Sequence, residues 1–167
     1  GVDSRLFDDI VYSWWQNKTP KDEFLEILDN YYQSIDRNYQ AILNPHVLSL
    51  LDYLKTNHYQ IALASSSSKQ LIDKALISSG IFDYFDLITS GMAFQESKPH
   101  PEIYLYTIEK LHARKEETLI IEDSSPGIQA AVNAGIDVVA IKDKRFSLDQ
   151  SQANAIIDDI IDVKKYI

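Results

Sequence analysis

Beyond Asn44-Pro45 the chain alternates short apolar runs with helical stretches, and no other feature limits its possible folds as tightly. The spacing predicts a helix over His46–Thr56, then a strand at Tyr59-Gln60-Ile61-Ala62-Leu63-Ala64. A helix from about Lys69 to Ser78 follows, then a strand over Phe85–Thr89. Pro99 and Pro101 open a helix at Glu102–Leu111, Thr118–Ile121 is a third strand, and Ile128–Ala134 is another helix. Asp137–Ile141 and a short Ala155–Ile157 complete the strands, with a terminal helix behind them. Strands separated by helices pair in parallel, so the predicted class is α/β, a parallel sheet covered by helices on both faces.

The first 43 residues carry no strand signal. Leu6, Phe7, Ile10, Val11, Trp14 and Trp15 recur at spacings of three and four, an amphipathic stripe. Thr19-Pro20-Lys21-Asp22-Glu23 predicts a helix start, with Thr19 as N-cap and Pro20 at the first helical position. That helix would show Phe24, Ile27, Leu28, Tyr31 and Ile35 on one side. At this spacing Trp14 and Trp15 are expected to pack between helices, and Asp8-Asp9 to form a solvated face. The expected division is a small all-helical part over 1–43 and an α/β core over 44–167.

Composition excludes several classes of function. A formal charge of −9 argues against a nucleic-acid surface, which needs clustered Lys and Arg. No apolar run approaches the roughly 18 residues of a membrane span, and no basic segment with an apolar stretch opens the chain. Zero cysteines exclude disulfides and thiolate metal sites, which fits a cytoplasmic protein. With this charge an anionic substrate must be met locally, by a few lysines, backbone amides or a metal.

Three segments carry chemistry. Thr118-Leu119-Ile120-Ile121 runs into Glu122 and Asp123, two carboxylates at the carboxyl end of a strand, where open α/β sheets hold ligands. Hard oxygen donors in that turn suit Mg²⁺ better than Zn²⁺. Ser65 to Ser68 follow the first strand and lead into a helix; hydroxyls beside helix amides either bind phosphate or simply cap the helix. Lys98, between a strand-end loop and Pro99-His100-Pro101, is a cation in a stiff setting. His100 is expected to cap the helix or to lie on the surface.

In this order and spacing, strand-ALASSSS, ESKPHPEIY and LIIEDSSPGIQAAVNAG resemble the haloacid dehalogenase (HAD) superfamily, in its phosphatase and β-phosphoglucomutase-like branch with a helical cap. The resemblance implies a Rossmannoid parallel sheet with a small helical cap over 1–43. It makes Ser65 the phosphate-binding hydroxyl, with the Ser66 and Ser67 amides as helpers. Lys98 pairs with the phosphoryl group, and Glu122 and Asp123 hold Mg²⁺ directly or through water. Gly135 is the helix stop. The substrate class is a small phosphorylated molecule.

One part of the pattern is absent. The family's first strand ends in Asp-x-Asp, whose first acid attacks phosphorus, and the chain contains no Asp-x-Asp. The first core strand is therefore expected to be missing from these residues. In the family it lies between the strands ending here at Ala64 and Ile121. Its loss would leave them roughly 10 Å apart with unpaired backbone groups. A missing N-terminal segment or another chain is expected to complete the sheet. Of the basic cap residues that β-phosphoglucomutases use, only Arg5 falls near a matching position, one residue out of register, and Leu28-Asp29-Asn30-Tyr31-Tyr32 offers no cation. The leading expectation is a Mg²⁺-dependent phosphatase of sugar or polyol phosphates working through an aspartyl-phosphate. A β-phosphoglucomutase is the alternative, and a non-catalytic binding module the rival from another class.

Overall fold

The computed structural model describes residues 4–15, 18–35, 37–142 and 148–167. Its helices are α1 (Ser4–Trp14), α2 (Lys21–Ser34), α3 (Tyr39–Ile42), α4 (Val47–Thr56), α5 (Lys69–Ser78), α6 (Glu102–Lys110) and α7 (Ser125–Ala134). Its strands are β1 (Ala62–Ser65), β2 (Leu87–Ser90), β3 (Leu119–Glu122), β4 (Asp137–Ile141) and β5 (Ala155–Ile157). All pairing is parallel, as the alternation predicts. Among the described residues no helix is long and apolar enough to cross a membrane.

The strands do not form one continuous sheet. β1 pairs with β2, and β3, β4 and β5 form a second ladder in that order, with no pairing between β1 and β3. A cleft of about 460 Å³ is lined by both of these strands, with Tyr104 and Ile108 of α6, Leu54 of α4 and Val163 also facing it. Burial follows from this arrangement. Val138, Val139 and Ala140 of β4 are 0–1% exposed, whereas every residue of β1 is only half-buried. A strand enclosed on both faces and both edges would be buried throughout.

Helices tie the two ladders together. On one face α6 and α7 pack Ile103, Tyr104, Ile108 and Ile128 against Ile120 and Val138. On the other, α4 serves both ladders: Leu50 packs with Val139, Ile157 and Val163, while Leu51 packs with Ile61, Ile72 and Leu76.

Several boundaries differ from expectation. The first strand starts at Ala62 because the Asp86 carboxylate accepts the Ile61 amide at 2.8 Å and replaces a ladder partner there. The expected terminal helix is a 3-10 turn over Ile160–Lys165, started by Asp159 accepting from the Ile161 amide. Pro20, not Thr19, occupies the N-cap of α2, and the buried Thr19 hydroxyl has no hydrogen-bond partner among the described residues. α7 begins at Ser125 rather than near Ile128, since Ser124 caps it and Pro126 fits the first turn. Trp15 packs on Phe24 as expected, with ring centroids 5.5 Å apart, but Trp14 is 74% exposed. Asp9 lies on a solvated face, paired with Lys21 at 2.5 Å.

Candidate functional site

Lys98 brings the carboxyl ends of β1 and β3 together, and three loops meet there. Ser65 ends β1 in register with Ser90, the last residue of β2. Helix capping falls to Ser68, whose hydroxyl accepts from the Leu71 amide, so Ser65 to Ser67 form the turn itself. The Ser67 amide donates to Ser65 Oγ at 3.2 Å, and Ser90 Oγ donates to the Ser67 carbonyl at 2.7 Å. Gly91 lets the next turn approach: a Cβ there would lie 3.1 Å from Ser66 Cα.

Lys98 bridges the two strand ends. Its Nζ donates to the Ala64 carbonyl at 3.3 Å, beside Ser65, and to Glu122 Oε1 at 2.5 Å. Both side chains of this ion pair are only 9% exposed. The Tyr104 hydroxyl, from α6, donates to the same Glu122 oxygen at 2.8 Å, and its ring centroid lies 4.7 Å from Lys98 Nζ.

The other Glu122 oxygen lies over the amino end of α7. It accepts from the amides of Asp123 and Ser124 at 3.0 and 3.1 Å and from Ser124 Oγ at 3.0 Å. A helix amino terminus favours a negative charge. The fit leaves no spare volume, because any Cβ at Gly127 would overlap the Glu122 carboxylate. Burial alone would push the Glu122 carboxyl upward. The Lys98 charge and hydrogen bond, the Tyr104 hydroxyl and the Ser124 amide outweigh it and hold the group at about 2. Tyr104 is pushed above the usual phenol range, first by burial and then by the Glu122 charge, so it remains a neutral donor.

Asp123 differs from its neighbour. Its carboxylate is exposed and takes no hydrogen bond among the described residues, while its carbonyl accepts from Gln150 Nε2 at 2.8 Å. The same amide nitrogen donates to the Ile141 carbonyl at 2.8 Å, which ties the Asp123 turn to the end of β4. Among the described residues no group of three or more His, Cys, Asp or Glu side chains is placed to hold a metal. Mg²⁺ is usually bound through one or two carboxylates, with water and phosphate completing its shell. Asp123 fits such a role. Both Glu122 oxygens already accept hydrogen bonds.

The structure thus joins Lys98 to Glu122 and to the carbonyl preceding Ser65, while Asp123 is adjacent but unpaired. His100 stays on the surface, with Glu96 at 2.9 Å. Arg5 lies in the first turn of α1, and its side chain falls outside the described residues. Sequence reasoning missed Tyr104, Ser90, Ser124, Gly127 and Gln150. A signal existed only for Gly127: a glycine in a helical first turn marks a close approach.

The description "Haloacid dehalogenase-like hydrolase" belongs to a family model that matches residues 6–141. A phosphorylated carbohydrates phosphatase of Thermotoga maritima is 30% identical over 121 residues, covering 69% of this chain and 56% of that protein. A phosphoglycolate phosphatase of Nitrosococcus oceani is 29% identical over 128 residues, 75% of this chain and 57% of that protein. The chain therefore spans little more than half the length of these relatives. The crystal structure of β-phosphoglucomutase from Clostridium difficile superposes with a TM-score of 0.73 at 31% identity, over 83% of this chain and 60% of that one. With its parallel strands, its converging serine, lysine and acidic loops and a match over most of its length, the chain belongs to the haloacid dehalogenase-like hydrolase family.

Proposed function

We propose that this chain supplies the phosphate- and cation-binding half of a Mg²⁺-dependent phosphatase for small phosphate monoesters, sugar or polyol phosphates among them. The observation that carries the reading is the placement of Lys98, a nearly buried cation held between Glu122 and the carbonyl that precedes Ser65. A phosphoryl group bound where these strand ends meet would contact that ammonium group, the Ser65 hydroxyl and the amides of Ser66 and Ser67. Mg²⁺ held at Asp123 would neutralise further charge on the phosphoryl oxygens. The relatives that act on phosphorylated carbohydrates and phosphoglycolate support this substrate class.

By the family resemblance the nucleophile is an aspartate on a strand that lies between β1 and β3. The unpaired facing edges of these strands, with a cleft between them, support the same placement. Such a strand would run parallel to both, satisfy their open backbone groups and bring its carboxyl end to Lys98. In-line attack by its carboxylate would break the ester P–O bond and give an aspartyl-phosphate, the leaving alcohol taking its proton from the second acid of the Asp-x-Asp; water then hydrolyses the aspartyl-phosphate to inorganic phosphate and free aspartate. The helices over 1–43 would act as a cap that excludes bulk solvent, with Arg5 a substrate-binding candidate.

A phosphomutase is the second reading, favoured by the likeness to β-phosphoglucomutase. The test is made on the protein with its sheet completed, supplied with Mg²⁺ and a panel of sugar and polyol phosphates including glucose 1-phosphate. Release of inorganic phosphate supports the hydrolase, and conversion of glucose 1-phosphate to glucose 6-phosphate without release supports the mutase. Neither outcome on any substrate would refute both.

A further inference from the structure

We infer that Glu122 is not a metal ligand in this protein but the fixed counter-charge that positions Lys98, with the Tyr104 hydroxyl as its third support, leaving Asp123 as the carboxylate open to a cation. The inference deepens the phosphatase reading, on which it rests for the purpose Lys98 serves, but the contacts that carry it hold whatever the reaction.

Acceptor capacity separates the two acids. An ionised carboxylate offers roughly four lone-pair positions. Glu122 Oε1 already accepts from Lys98 and Tyr104, and Oε2 from two amides and the Ser124 hydroxyl. A cation bound directly to either oxygen would have to displace a donor. On Oε1 the displaced group would be a nearly buried ammonium group or a phenol only 6% exposed, each then left without its partner. On Oε2 it would be one of the groups that form the amino end of α7.

Motion offers no escape. The site for a Gly127 Cβ is filled by the Glu122 carboxylate, so the side chain sits pressed against the helix. Asp123, one residue on, has none of these constraints.

Tyr104 is therefore a positioning residue. It touches neither the Ser65 turn nor the Asp123 carboxylate by any hydrogen bond, and it acts on Lys98 through the shared Glu122 oxygen and the face of its ring. Phenylalanine would keep the ring and lose the hydroxyl.

The experiment uses the full chain without metal or phosphate and follows acetylation of Lys98 by acetic anhydride with peptide mass spectrometry. Labelling proceeds through locally opened states, and losing one hydrogen bond to a charged group raises their population roughly tenfold. Tyr104→Phe should accelerate Lys98 labelling by about that factor, and Glu122→Gln by more. Thr107→Val is the control. It removes the buried contact between the Thr107 and Thr89 hydroxyls (3.0 Å) on the same helix, and should leave Lys98 protected. Asp123→Asn should also leave it protected.

Unchanged labelling in Tyr104→Phe overturns the role of Tyr104, and equal acceleration in Thr107→Val reduces that role to general loosening of α6. Acceleration in Asp123→Asn equal to that in Glu122→Gln overturns the division between the two acids. If Glu122→Gln does not fold, Tyr104→Phe and Asp123→Asn still decide the matter. Absence of Mg²⁺-dependent turnover in the protein with its sheet completed would refute the phosphatase reading and leave the Lys98 result standing.

Discussion

Replacing Gly127 by alanine sets two effects of known sign against each other. Gly127 is buried in the first turn of α7, and its positive-φ tolerance is not in use there, so helix propensity alone favours alanine by about 1 kcal/mol. Against this, the new methyl group occupies the space of the Glu122 carboxylate and must expel it. Expulsion breaks the ion pair with Lys98, and breaking a buried pair while one charge remains typically costs about 3–5 kcal/mol. The lowered Glu122 carboxyl expresses the same contacts as a linkage energy. A carboxyl held at about 2, against an ordinary 4.5, contributes on the order of 3 kcal/mol at neutral pH. The net expectation is a loss of about 2–4 kcal/mol, which in a chain of this size lowers the melting temperature by roughly 5–15 °C.

Urea titration at pH 7 and at pH 3 checks both the size and the cause. Because the folded-state value lies below the unfolded one, the Glu122 contribution is complete above pH 4.5 and fades as pH falls toward 2. The difference between Gly127→Ala and the parent should therefore shrink at pH 3. A variant that is neutral, or more stable by about 1 kcal/mol as propensity alone predicts, would show that the carboxylate does not occupy that position.

Gly135 caps α7 in the left-handed region at φ 68°, and Gly135→Ala should cost about 1 kcal/mol in a thermal melt. Gln150→Leu keeps most of the buried volume but removes the donor shared by the carbonyls of Asp123 and Ile141, and should cost about 1–3 kcal/mol by urea titration. Lys98→Met leaves Glu122 buried beside a neutral partner, so its carboxyl should titrate well above about 2 when followed by carbon-13 NMR.

The fold was legible wherever periodicity and local chemistry agreed. β3 and β4 are apolar runs with a turn and a helix between them, and their bounds fall within a residue of expectation. One departure arose where a distant side chain entered the backbone pattern, as Asp86 takes the Ile61 amide and shortens β1; the others follow from local caps at Pro20, Ser124 and Asp159. In the site, Ser65, Lys98 and the Glu122-Asp123 pair could be picked out because the order and spacing of their segments resemble the family's motifs. What could not be read was the difference in role between the two acids. That difference depends on Tyr104, which looks like any core position of an amphipathic helix, and on hydrogen bonds joining residues 18 and 24 positions apart. Gln150 gave no warning either, since a lone glutamine in a polar loop is usually solvated.

The central claim is that Lys98 and Asp123 serve phosphoryl transfer, one as the fixed cation and the other as the carboxylate open to Mg²⁺. Its most direct test is release of inorganic phosphate from a sugar phosphate by the chain supplied with the strand proposed between β1 and β3, with Mg²⁺, for the parent, Lys98→Ala and Asp123→Ala. The account predicts Mg²⁺-dependent release that falls by roughly 100-fold or more in each variant, the scale of losing one charged group that stabilises the transition state. Turnover equal to the parent in both would contradict it.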